Sequence, residues 1–530
     1  MRQFLCLLAL SWFFCPFAGY AGDLLLHPRY RVETSPGSGR FHTLTREAKW
    51  EAKKTAIIVC DMWDLHHCLN ATRRVREMAP VMNKVLEAAR AKGVTIIHAP
   101  SSCMESYANH PARKRAIATP RAKKLPKDIG SWCRRIPVEE RAFYPIDQTD
   151  GGEDDDPQAH AQWVEKLRKL GRNPKAPWKA QIDLLAIRDQ DYISDDGEEI
   201  WSILEQRGID NVILVGVHTN MCVLGRPFGL RQMVKNGKNT VLMRDMTDTM
   251  YNPKRAPYVS HFTGTDLIVE YIEKYICPTI TSTDFVGDKE FRFADDQRPH
   301  LVIVMAEGEY GTEETLPLFA RQNLGKEFRV SFVFANDKDR NDIPGIDVLN
   351  EADVALFSIR RRVLPKKQME TIRQFIAAGK PLVAIRTTSH AFALRNQKPP
   401  AGYFDWPEFD HDVIGGNYHN HHREGPKVKI SAAPKADKHP ILSGVDVDHL
   451  TGHGSLYRTS PLSKTATPLL IGSIPNQKPE PIAWINRRQD GGLVFYTSLG
   501  HRGDFEDANF VRLLTNAIRW SVRAASRQTP

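Results

Sequence analysis

Short, wholly apolar runs recur along this chain, and most are followed by apolar residues at helical spacing. AIIVC at 56–60 ends on Asp61, and VILVG at 212–216 runs into the polar turn VHTNMC. Runs this short and this apolar fit strands buried on both faces, which means a parallel sheet covered by helices. Strands are expected at 56–60, 94–97, 184–187, 212–216 and 240–243. Helices are expected at 73–92, 198–207, 223–236 and 266–275, with Gly93, Gly208 and Gly237 as stop signals. After a polar stretch the rhythm resumes. Strands are expected at 301–305, 329–335, 354–358, 381–385 and 493–497, and helices at 365–378 and 507–523. At 530 residues the chain exceeds one ordinary core. The expected fold class is α/β: two three-layer α/β/α domains, each with a mostly parallel sheet, at 49–277 and 299–523, joined by a linker at 278–298.

Three stretches fall outside this rhythm. MRQFLCLLALSWFFCPFAGYA at 1–21 has a basic start, an apolar middle and small residues at its end. That pattern predicts a signal peptide and an exported protein, periplasmic or extracellular, and the run is too short for a stable membrane span. Residues 100–180 are long and irregular, and read as an insertion or lid. They hold a basic stretch at 121–127 and the acidic run GGEDDD at 151–156. The acidic run lacks the spacing of a calcium loop and reads as a solvated face. The net charge of +10 is spread along the chain without a nucleic-acid motif, so no nucleic-acid partner is expected. Of eight cysteines, Cys6 and Cys15 lie in the leader. Cys60, Cys68, Cys103, Cys133, Cys222 and Cys277 all precede residue 280, in keeping with two separate domains.

Ligands of open parallel sheets bind beyond the C-terminal strand ends. Asp61 and Cys222 both stand at such ends and can converge. A cysteine opening a helix faces unpaired amides and the positive dipole end, which favour thiolate. Asp61 can take the thiol proton, and the N–H groups of the Met221–Cys222 turn can serve an oxyanion. A buried structural cysteine satisfies the same local context. Trp63 can stack on a planar ligand, and Arg226 and Arg231 can meet an anionic group. Asp245, Asp248 and Asn252 can line the crevice or make turns.

CDMWD at 60–64 and VILVGVHTNMCV at 212–223 resemble the isochorismatase-like cysteine hydrolases, which include the nicotinamidases. The resemblance covers about residues 49–277. It implies an Asp–Lys–Cys triad, with Asp61 as base and Cys222 as nucleophile, acting on a small-molecule amide through a covalent intermediate. It implies a cis peptide at Val217–His218 beside the oxyanion turn, and a substrate-binding role for Asn220. The family lysine is absent: its stretch here is LLAIRDQDYISDDG, whose local cation is Arg188. Arg188 cannot give up a proton but can order the charges; Lys179 is the alternative. Nicotinamidases also bind a metal near the cysteine. Asp64, His66 and His67, with His98 on the next strand, offer donors for zinc or another divalent ion, although DLHH lies closer to Asp61 than the family ligands do.

In the second half, HLVIVMAEGEYGTEETLPLF, GKPLVAIRTTSHAF, VIGGNYHNHH, KHPILSG and LVFYTSLGH resemble ThuA-like (trehalose-utilisation) domains, related in fold to class I glutamine amidotransferases. Where those amidotransferases place a cysteine this chain has Arg386–His390, so that chemistry is excluded. His390, His419, His421, His422 and His501 fall in the matching motifs and can meet a metal or a sugar. The stretch GHGSLY at 452–457 lacks the acidic pair typical of the family, which favours carbohydrate binding over catalysis. The whole reads as an exported cysteine hydrolase with a sugar-binding second domain, with a homo-oligomer within reach. The alternative is a binding protein whose two sites no longer turn over.

Overall fold

The computed structural model describes residues 22–526 apart from 288 and 396. The leader expected at 1–21 lies outside the described residues. Two large sheets organise the chain. In the first, the strands run in the order Phe41–Thr45, Arg29–Glu33, Thr279–Ile280, Asn239–Asp248, Asn211–Val217, Thr55–Cys60, Thr95–Ala99 and Tyr192–Ile193. The six from Thr279–Ile280 onward are parallel, and the first two add an antiparallel hairpin at the edge. The first domain therefore begins before residue 49. The expected linker gives it a strand, and it also gives it Phe293, which packs in its core.

Thr55–Cys60 and Thr95–Ala99 are buried at every position. Helix Leu69–Lys92 packs Val75, Met78, Met82, Val85, Leu86 and Ala89 against one face, and Gly93 closes it at φ +93°. The strand expected at 184–187 is a turn instead. Gln181 bonds the Leu185 carbonyl and Asn83 accepts the Ala186 amide, so the run is held by side chains. The edge position goes to Tyr192–Ile193. The helix expected at 223–236 shortens to Leu230–Lys235, because Pro227 and Gly229 intervene.

In the second sheet, Arg329–Phe334, His300–Ala306, Val354–Ile359, Leu382–Ile385 and Leu493–Thr497 are parallel neighbours. Glu480–Arg487, Ala466–Ser473, Val428–Ala432 and Thr451–Gly452 extend it antiparallel. The edge hairpin of the first domain meets the second: Arg40 pairs with Asp337 at 3.5 Å, and the Thr43 carbonyl sits where a Cβ on Gly345 would be, 2.4 Å away. Among the described residues no helix is long and apolar enough to cross a membrane.

Candidate active site

The strand register places Cys60 opposite Gly216, so Asp61 and the turn after Val217 leave the sheet side by side. The approach is close: a Cβ on Gly216 would lie 2.0 Å from the Cys60 carbonyl oxygen, and Gly216 has φ +104°. Only glycine fits there. The Val217–His218 peptide is cis. A wide π-type turn, Thr219–Val223, then carries Cys222, with the Val223 amide bonded to the His218 carbonyl at 3.1 Å.

Asp61 is fully buried, at φ +47°. One carboxylate oxygen accepts the Ser101 amide at 2.8 Å. The other accepts Arg226 Nε at 3.0 Å. The Cys222 side chain lies beside both Asp61 and Arg226 and feels both charges. The Arg226 amide bonds the Cys222 carbonyl at 3.0 Å, so cysteine and arginine lie one turn apart. The guanidinium sits 4.8 Å from the ring of Trp132, a residue of the insertion.

Burial dominates the electrostatics. It raises the Asp61 carboxyl above the usual range, against the pull of Arg226. It also pushes the Cys222 thiol far up, and the Asp61 charge adds to the effect. Arg226 stays charged. The resting site is therefore a neutral thiol beside a carboxylate–guanidinium pair, which replaces the activated thiolate expected from the helix dipole.

Several expected site residues stand elsewhere or do other work. Arg188 is half exposed and binds Glu87 at 2.9 Å. The turn that replaces the expected strand carries it away from Asp61, and Arg226 takes the position it was expected to fill. Lys179 is exposed, and its backbone bonds Asp64 and Ser106. The Met221 amide bonds the His218 carbonyl at 3.0 Å, so it is not the expected oxyanion donor. Asn220 spends its side chain on Gln148 and on both backbone groups of Met250, as a brace. Trp63 stacks on Trp178 at 4.5 Å and bonds the Ser101 carbonyl. Arg231 forms a buried pair with Glu139. Asp245 bonds Ser282 and Phe291, and Asn252 bonds Asp150.

The expected metal donors do not fit an ion together. Asp64 binds Arg172 at 2.8 Å and two backbone amides. His66 Nδ1 accepts the Cys68 amide, and its ring packs against His67 and His218. His98 lies between Gln181 and Asp191. Metal-type donors do gather elsewhere, as Cys68–Asp154–Asp155 and Glu153–Asp155–His160. There Asp155 already accepts the Leu69 and Asn70 amides at the start of a helix, and Asp154 holds Arg74. The acidic run at 151–156 is thus partly buried structure and not a solvated face.

The insertion is ordered and pinned over this site. Cys133 N–H bonds the Gly225 carbonyl at 2.8 Å, and Tyr144 bonds the Asn220 carbonyl. Sequence reasoning misses Arg226 as the partner of Asp61, Trp132 beside it, and Ser101. The spacing of four between Cys222 and Arg226 is the signal available for the first.

The second domain carries a separate cleft beyond its parallel strands. Arg386 turns at φ +45° after Leu382–Ile385. Its guanidinium lies between the rings of Tyr310 and Tyr457, at 4.5 and 4.6 Å, and bonds the Ser498 carbonyl at 2.7 Å. A Cβ on Gly454 would lie 2.1 Å from it, so the glycine in GHGSLY makes room for the arginine. Two adjoining hollows of about 410 and 400 Å³ share His390, Arg395 and Tyr418. His390 is buried and stacks on Tyr418 at 4.4 Å; His419, His421 and His501 stand around the rim, and His422 is half-buried outside both hollows.

Residues 300–521 match the family model described as "ThuA: Trehalose utilisation". No curated protein matches the chain. Similar solved structures include a putative ThuA-like protein from Parabacteroides merdae ATCC 43184 (13% identity, 43% of this chain and 91% of that one, TM-score 0.32). A cysteine hydrolase from Pseudomonas syringae pv. phaseolicola 1448A is 18% identical over 44% of this chain and 92% of that one, with TM-score 0.27. N-carbamoylsarcosine amidase from Thermoplasma acidophilum is 16% identical over 44% of this chain and 99% of that one, with TM-score 0.24.

Proposed function

We propose that this chain, whose residues 300–521 match the ThuA family, is an exported hydrolase of a small amide or related C–N bond. Chemistry is assigned to the first domain, and binding of a sugar-like ligand to the second. One observation carries the hydrolase reading: Cys222 and Asp61 meet at neighbouring strand ends in a buried site, where Arg226 bonds Asp61 at 3.0 Å and the Cys222 thiol lies within the field of both charges. A single guanidinium in a buried site supports a single anion. At rest that anion is Asp61. As the sulfur attacks the substrate carbonyl, the thiol proton moves to Asp61 and the negative charge moves to the carbonyl oxygen. The count of charges is unchanged. Collapse expels the amine, which takes the proton from Asp61. Water then adds to the thioester and gives Asp61 a proton, which returns to the departing sulfur. Arg226 holds charge throughout and moves no proton. Export rests on the leader-like stretch 1–21.

The test pairs two readouts. Ammonia release from a panel of small amides is expected to vanish in Cys222→Ala. In Asp61→Asn hydrolysis is expected to fall by about 10³-fold or more. In the same variant, iodoacetamide labelling of Cys222 is expected to speed up, because Arg226 then favours thiolate with no competing anion. Hydrolysis that survives in Cys222→Ala overturns the reading. So does slower labelling in Asp61→Asn with the fold intact.

A further inference from the structure

The second-domain cleft is rich in arginines; Glu309 and Glu424 line its smaller hollow, and in the larger one the lining acid is Asp410. Arg361 and Arg395 line the larger hollow, and Arg360 and Arg395 line its neighbour. Arg360 pairs with Glu309. Arg361 gives one N–H to the Ala393 carbonyl, while its Nε is buried without a partner, as are those of Arg360 and Arg386. His390, at the seam, is held neutral by burial and by the surrounding Arg361, Arg360, Arg395 and Arg386. The nearest acid of the larger hollow, Asp410, has one carboxyl oxygen buried without a partner, and burial raises it to about 7. It is therefore only partly ionised at neutral pH, and in its acid form it can donate a hydrogen bond. Clustered guanidinium groups repel one another, and desolvated ones lacking partners are costly. A bound anion relieves both effects. Aromatic faces (Tyr418, Trp406) and neutral polar groups (Ser389, Asn420) line the same space, which suits a sugar ring.

We propose that this cleft binds an anionic sugar, one bearing a carboxylate or a phosphate, with Arg361 and Arg395 taking the anion. The proposal rests on the sugar-like reading of the second domain and adds the charge of the ligand. Guanidinium forks match carboxylate and phosphate equally well, so the anion itself is left to experiment.

Calorimetric titration of the mature full chain tests it with four probes: glucuronate, glucose 6-phosphate, glucose and inorganic phosphate. Glucuronate or glucose 6-phosphate is expected to bind, and more weakly at high salt. The tighter of the two identifies the anion. Arg395→Gln, at an exposed side chain, and Arg361→Gln are each expected to weaken that binding by about tenfold or more, with the thermal midpoint of Arg395→Gln unchanged. Glucose binding as tightly as its charged relatives, indifferent to both variants, overturns the proposal and leaves the sugar reading standing. Inorganic phosphate matching glucose 6-phosphate overturns the sugar part. Failure of all three sugars to bind overturns both.

Discussion

The two sites handle charge in opposite ways. In the first domain one guanidinium, Arg226, meets one carboxylate, Asp61, and the Cys222 thiol stays neutral between them. In the second, Arg361 and Arg395 face a hollow whose acid, Asp410, is only partly ionised at neutral pH. The first site is complete without a ligand's charge, and its work is to move an anion over a short distance. The second lacks a negative charge that a ligand can bring. A balanced buried site suits turnover of a neutral group, and an unbalanced cleft suits capture.

Breaking the balance of the first site has the largest expected effect. Arg226→Gln leaves Asp61 buried with no cation, so its proton affinity rises and the oxyanion loses its counter-charge. Hydrolysis is expected to fall by about 10²–10³-fold in kcat/KM. Arg226→Lys keeps the charge and is expected to recover part of that loss. Equal losses in the two variants, measured on the best amide of the panel, remove charge from the explanation.

The next test makes an unpaired arginine where the fold tolerates none. Glu139 is fully buried and receives Arg231 through a two-pronged contact, with the Tyr271 hydroxyl donating to the same carboxylate at 2.8 Å. Glu139→Ala strands a buried guanidinium and frees the insertion at one anchor. The expected cost is roughly 3 kcal/mol, read from chemical denaturation. A cost under about 1 kcal/mol would mean that the insertion relaxes to let water reach Arg231.

Much of this architecture is legible in the chain. The apolar runs at 56–60, 212–216 and 493–497 are strands, since nothing in them competes with burial. Asp61 and Cys222 can be placed because both follow such runs directly. The failures share a cause. The run 184–187 is apolar but is claimed by the side chains of Gln181 and Asn83, and a local pattern contains no record of partners distant in sequence. Motif position points to Arg188 as the cation, whereas the fold brings up Arg226, one turn from Cys222. The antiparallel half of the second sheet is equally hidden. Its strands carry exposed polar positions, as in Val428–Ala432, and do not stand out as apolar runs. GGEDDD reads as solvated, because a helix N-terminus waiting for Asp155 is visible only in three dimensions.

The smallest effect belongs to Asp410, and it decides whether the second cleft really withholds negative charge. Burial raises its carboxyl to about 7 from an ordinary 3.8, although its other oxygen accepts the Tyr418 amide at 2.6 Å. A folded-state value above the unfolded one means that the folded protein holds the proton more tightly. Between about pH 4 and pH 7 the unfolded chain has released this proton and the folded one has kept it. This residue's contribution to stability therefore falls through that window, and it levels off once both forms are ionised. Asp410→Asn keeps an oxygen for the Tyr418 amide and removes the ionisation. The variant is expected to match the parent near pH 4 and to exceed it by roughly 2 kcal/mol near pH 8. Each tenfold gain in proton affinity is worth about 1.4 kcal/mol, and solvent screening of this partly exposed residue brings the total down to that figure. A gain of the same size at both pH values would trace to packing. No gain at pH 8 would mean an ordinary carboxyl, fully ionised at neutral pH beside Arg361 and Arg395, and the contrast between the two sites would fail.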